Sequence, residues 1–185
     1  MKITAGNPLE RGKDISLTNA RDYLLKLLTE NFNGYVCATI KAKRGIEEGV
    51  ILFHNGRIVA SSYAYFKYLR EYQAEPAMER FLNAMMAKTG VIDSFSLSSY
   101  QVQLVMTLNE EASLKNPIDS ETLQLPNSYT TKYEDELAKK VVAETGKQTQ
   151  IMKNLGLTGY LTGVTKEEIM KAAKEEDQRI ERMIK

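Results

Sequence analysis

The spacing of apolar side chains changes character along this chain, and each change marks a different kind of element. Leu17, Ala20, Leu24, Leu27 and Leu28 recur at helical intervals until the breakers Asn31 to Gly34, which predicts a first amphipathic helix. Tyr35 to Ala42 is short and apolar, bounded by Gly34 and Lys43-Arg44-Gly45, and reads as a strand. Val50 to Phe53 and Ile58 to Ser61 are β-rich runs on either side of Asn55-Gly56, the pair best suited to the two positive φ angles of a type I′ turn. A β-hairpin is therefore expected at Phe53-His54-Asn55-Gly56-Arg57-Ile58.

Beyond the hairpin, Pro76 suits a first helical turn, and Met78, Phe81, Leu82 and Met85 form a stripe that ends near Gly90. Val91 to Leu97 can return as a strand. Ser98 to Asn109 fits two templates: Val102, Leu104, Met106 and Leu108 alternate, while Leu104, Val105 and Leu108 make a helical face. From Glu110 to Glu136 the chain is acidic and carries Pro117 and Pro126, which places a boundary there. Tyr133, Leu137 and Val141 then share a helical face, a short turn follows around Ile151 and Leu155, and a last helix opens on the capping box Thr165 and Glu168. Its apolar seam is Ile169, Ala173, Ile180, Met183 and Ile184.

The expected organisation is a polar lead (1–16), an α+β domain (17–109), an acidic linker (110–132) and a helical C-terminal region (133–185). In the α+β domain a small antiparallel sheet with a central Asn-Gly hairpin packs against helices.

Charge and chemistry narrow the functional classes. Lys and Arg total 25 against 24 for Asp and Glu, so no global field holds a polyanion or an acidic membrane, although a local basic face is left open. Cys37 is the single cysteine, which excludes an intrachain disulfide and a thiolate metal cluster and suits a reduced compartment, read as the cytoplasm. The N-terminus lacks the apolar run of a signal peptide, and no stretch reaches the roughly 18 apolar residues of a membrane span, so no membrane insertion is expected. His54 is the single histidine, and turn chemistry accounts for its position better than catalysis does. Cys37 lies within a strand, where a free cysteine behaves as a small hydrophobe. No phosphate-cradling glycine loop is present, and the carboxylate pairs fall in turns or on mixed-charge helices. No catalytic, cofactor or metal residue is singled out.

Three features point to binding. Tyr63, Tyr65, Phe66, Tyr68 and Tyr72 are interleaved with Lys67 and Arg70, a pattern that serves base stacking, a protein hot spot or simple core packing. Lys41, Lys43, Arg44 and Arg57 belong to strand ends that can face phosphates or only solvent. Ile180, Met183 and Ile184 need a covering surface, in this chain or in a second copy. The reading is a non-enzymatic protein-interaction or adaptor module of a larger assembly, with an RNA-binding or ribosome-associated factor as the alternative.

Three runs, Leu24-Leu25-Lys26-Leu27-Leu28, Phe32-Asn33-Gly34-Tyr35-Val36 and Gly49-Val50-Ile51-Leu52-Phe53-His54-Asn55-Gly56-Arg57-Ile58-Val59-Ala60, resemble an uncharacterised archaeal domain family, which itself resembles the bacterial PATAN adaptor domain. The tail segments Ile151 to Leu157 and Lys166 to Ile169 are similar to the helical tail of the archaeal group. The resemblance rests on structural glycines and apolar positions. It implies a helical Ser98 to Asn109, an archaeal cytoplasmic setting and a role in protein interaction, and it supplies no active residues. The tyrosine-rich segment Lys67 to Glu75 departs from the shorter glycine-containing link of the bacterial adaptors.

Overall fold

Asn55 and Gly56 have φ angles of 50° and 67°, so the two-residue turn expected from their identities is formed and joins β3 (Ile46–His54) to β4 (Arg57–Tyr65). A Cβ on Gly56 would run into the Leu28 carbonyl, so glycine serves both the turn and the close approach of the preceding helix. The computed structural model describes residues 1–154. Two compact units divide the chain, Met1–Leu137 and Ala138–Lys185.

Around this hairpin the first unit builds a fully antiparallel sheet of seven strands. The path is β1 (Asn7–Asp14), β6 (Gly90–Ser96), β2 (Gly34–Lys41), β3, β4 and β5 (Arg70–Gln73), and β7 (Ser113–Ile118) also pairs with β4. β5 takes the Ser62–Tyr65 half of β4 and β7 the Ile58–Ala60 half, so two short strands share one edge. At the opposite edge, β1 contains Pro8 and two register breaks, between Pro8 and Glu10 and between Glu10 and Lys13. The sheet is thus larger than the sequence suggested. β1 lies in the stretch read as a polar lead and β7 in the stretch read as an acidic linker. Both are edge strands with almost no buried side chains, so neither shows the alternation that announces a half-buried strand.

Strand alternation assigns the two faces. Val36, Ala38 and Ile40 on β2, with Ile51 and Phe53 on β3, point to α1 (Ala20–Thr29) and α2 (Ala74–Ala84), where Phe81, Met85, Leu24 and Leu28 complete a core. Tyr35 and Leu52 point the other way, to α3 (Ser99–Leu108), and form a second cluster with Val102, Val105 and Ala112. The ambiguous segment is therefore a helix. Ser98 and Gln101 form a reciprocal capping box, which gives the backbone a helical start that alternation cannot offer. α1 begins later than its stripe implied: the Asn19 side chain accepts hydrogen bonds from the Arg21 and Asp22 amides, leaving Leu17 in a preceding 3₁₀ turn. α4 (Lys132–Asn154) continues through Ile151 without the expected turn. The final helix with Ile180, Met183 and Ile184 lies outside the described residues. No described helix is long and apolar enough to cross a membrane.

Candidate functional site

Antiparallel pairing sorts the loops between the two ends of the sheet, and one end collects most of the basic residues singled out in the sequence. The β2–β3 turn carries Lys43 and Arg44, and the β4–β5 connection carries Lys67. The two connections meet: a Cβ on Gly45 would lie 3.2 Å from the Lys67 Cβ. The α2–β6 turn joins them through the Lys41 amide, which donates to the Thr89 carbonyl at 3.1 Å and brings Lys88 to the same end. The Ile15–Leu17 turn follows Asp14, the partner of Val91 at the start of β6, so it also belongs here. Lys41, Lys43, Arg44, Lys67, Arg70 and Lys88 are all exposed.

The same end presents apolar tips. Leu69 is 91% and Leu17 86% exposed, with Phe66 and Ile46 also at the surface. Leu69 sits in the left-handed region, φ 49° and ψ 44°, where its amide closes the Phe66–Tyr68 3₁₀ turn. A branched side chain there costs about 1–2 kcal/mol, a strain that burial of the leucine does not offset. Lys88 and Leu17 were not legible as members: one follows a helix stripe, and the other seemed part of one. A cleft of about 500 Å³ lined by Leu17, Asn19, Met85 and Lys88 opens beside them.

Arg57 does not join this group. Strand β3 has nine residues, so Arg57, in the β3–β4 turn, is carried about 30 Å to the opposite end. There it helps hold the Asp119 carboxyl below its ordinary value, after the hydrogen bonds from Thr122 that act most strongly. His54 lies at that end as well, its Nε2 3.0 Å from the Ser99 hydroxyl, where it ties the hairpin to the start of α3.

The tyrosines divide between surface and interior. Tyr63 and Tyr65 are buried on the α2 face, while Tyr68 and Tyr72 are half-buried. Tyr63 donates a 2.6 Å hydrogen bond to Glu47, itself 4% exposed, and the Tyr65 ring lies 5.2 Å from that of Tyr63. The Arg80 guanidinium lies over two rings, 3.8 Å from Tyr72 and 4.7 Å from Tyr133. Glu134, 3% exposed, completes the cluster from the first turn of α4. Glu47 and Glu134 each keep one buried oxygen without a hydrogen-bond partner. Burial pushes the Glu47 carboxyl up to about 7; the Tyr63 hydrogen bond opposes that rise, Glu134 adds to it, and Arg80 opposes it. Sequence reasoning missed this acid pair because its members are 87 positions apart and arrive from β3 and α4.

At the rim of the cluster, Arg44 pairs with Asp135 at 2.9 Å, one position along α4 from Glu134. Cys37 faces the α3 side, and burial pushes its thiol up to about 12, with Glu48 acting in the same direction. That is the opposite of an activated nucleophile. Among the described residues, no group of three or more His, Cys, Asp or Glu side chains is placed to hold a metal.

A family model described as "Uncharacterized protein conserved in archaea (DUF2226)" matches residues 1–109. The chain belongs to this family. In DUF2226 terms, the matched region runs from the N-terminal segment through α3 and includes every member of the basic end, whereas β7, Glu134 and Asp135 lie past it. No curated protein and no solved structure matches the chain.

Proposed function

We propose that the chain is a non-enzymatic docking module, an adaptor that attaches to a larger cytoplasmic assembly through the basic, leucine-tipped end of its sheet. One observation carries this reading: separate connections converge on one end and present Leu17 and Leu69 almost fully to solvent, ringed by lysine and arginine. Leu69 keeps a strained backbone to do so, and strain without a packing return marks functional positions. The likeness of the sequence pattern to the bacterial PATAN adaptor domain supports the same class. So does the sealing of the titratable cluster: Glu47 and Glu134 are too buried to reach a substrate. Burial of Tyr63 and Tyr65 withdraws two of the aromatic platforms that an RNA-binding factor would use for base stacking.

The test is fractionation by size of an extract of the native archaeal host expressing the tagged chain. Wild-type protein is expected with a large assembly, and the doubly substituted Leu17→Asn, Leu69→Asn chain at the position of free protein. Both positions are exposed and asparagine relieves the strain at position 69, so the melting temperature of the double variant should not fall. An unaltered elution of the double variant refutes the assignment of this end.

A further inference from the structure

We infer that the docking end adsorbs to an anionic lipid surface, its leucine tips entering the headgroup layer while the surrounding cations meet lipid phosphates. This rests on the docking reading above and supplies the partner.

Three observations favour lipid over the other polyanions and over protein. The first is the mixture of chemistries. Lysine and arginine alone would suit a nucleic acid, but the most exposed tips, Leu17 and Leu69, have no role against phosphates and no ring to stack on a base. A membrane interface takes both kinds of group, apolar tips below and cations at the headgroups. A protein interface suits less well, because lysine is depleted there and four of the six cations at this end are lysines: Lys41, Lys43, Lys67 and Lys88.

The second is layout. Leu17 follows β1 and Leu69 lies between β4 and β5, near opposite edges of the sheet path. At about 4.8 Å per strand the two tips are roughly 20 Å apart. Tips on separate connections at that spacing match an extended, deformable plane better than a single pocket.

The third is polarity of charge. The chain is nearly neutral, with a formal net charge of +1, yet six exposed cations gather at one end, whereas at the other Arg57 is set against Asp119 and Glu30 beside the hairpin turn. Acidic residues do reach the basic end: Asp14 caps Ser16, Asp135 pairs with Arg44 and so offsets one of the six cations, and Asp22 in the first turn of α1 is matched by the neighbouring exposed Arg21. The resulting field orients the molecule tips-down on a negative surface. No membrane-spanning helix is required for such adsorption.

The chain contains no tryptophan, so Leu69→Trp and Arg57→Trp each give a single-site reporter at one end of the molecule. The full chain is sedimented with vesicles of phosphatidylglycerol and phosphatidylcholine in equal parts, or of phosphatidylcholine alone, at low ionic strength. Binding to the anionic vesicles is expected to exceed binding to the neutral ones by about tenfold or more and to weaken as salt rises. The emission of Leu69→Trp should shift to the blue on binding, and that of Arg57→Trp should not. Lys43→Glu with Lys67→Glu, and separately Leu17→Asn with Leu69→Asn, should each lower partitioning about tenfold.

Absence of binding to anionic vesicles, or a blue shift at position 57 instead of 69, overturns the inference. Retention of polyuridylate RNA without vesicle binding also overturns it and assigns the cations to nucleic acid. If vesicles fail while the extract experiment still depends on Leu17 and Leu69, the docking end stands and only its lipid partner falls. If both fail, both proposals fall.

Discussion

Replacing Glu47 by glutamine should make the first unit more stable at pH 8 and leave it nearly unchanged at pH 4.5. Glu47 is 4% exposed, and its carboxyl is raised from 4.5 to about 7, chiefly by burial. Below the unfolded value both states carry the proton, and the buried acid imposes no ionisation cost. Between pH 4.5 and 7 the unfolded chain ionises while the folded chain stays protonated, so stability falls as pH rises, and the loss is complete above the folded value. A shift of that size corresponds to about 3 kcal/mol at most, since any water reaching the pair would reduce it. Glutamine can still accept the Tyr63 hydroxyl and carries no charge to be desolvated. Urea unfolding of the full chain and of Glu47→Gln at pH 4.5, 6 and 8 isolates the effect, because other titrating groups cancel in the difference. The expected difference grows across this window and favours the variant. A difference that does not vary with pH would falsify the idea that Glu47 is buried as an acid with an unpartnered oxygen.

Four further outcomes follow from individual positions. Gly56→Ala should cost about 2 kcal/mol or more in urea unfolding, since φ is 67° and the added Cβ meets the Leu28 carbonyl; a neutral result would mean that the turn relaxes freely. Leu69→Asn should raise stability by roughly 0.5 kcal/mol, because asparagine tolerates the left-handed region better, and a lowered melting temperature would contradict the strain assigned there. Cys37, its thiol pushed up to about 12, should react with iodoacetamide at pH 8 on the order of a hundredfold more slowly than free cysteine and reach the ordinary rate in urea. Asp135→Asn should leave the urea-unfolding midpoint nearly unchanged, as its ion pair with Arg44 is solvent-screened, and a clearly lowered midpoint would show that the pair anchors the start of α4.

What could be read from the sequence tracks how local the determining interaction is. The Asn55-Gly56 hairpin needs only its own two residues, and it was legible. α3 needed one more observation, the Ser98 and Gln101 box, to separate helix from strand. β1, β5 and β7 could not be read, because edge strands in contact with solvent carry no two-residue rhythm and are recruited by partners far along the chain. The basic residues near Lys43 were visible as a group. Arg57 seemed to belong with them because the hairpin joins the strands, yet the length of β3 moves it to the other end. Leu17 misled in the opposite sense: its place on the helical stripe suggested burial, and the Asn19 cap left it outside the helix.

The two edges of the sheet set what happens when many copies crowd side by side. Proline and two breaks in register keep β1 from presenting an unbroken row of amides, and the far edge is divided between the short strands β5 and β7. Neighbouring molecules would meet rim to rim without offering one another a strand to extend. High local density can then be reached without the sheet-to-sheet polymerisation that leads to fibrils.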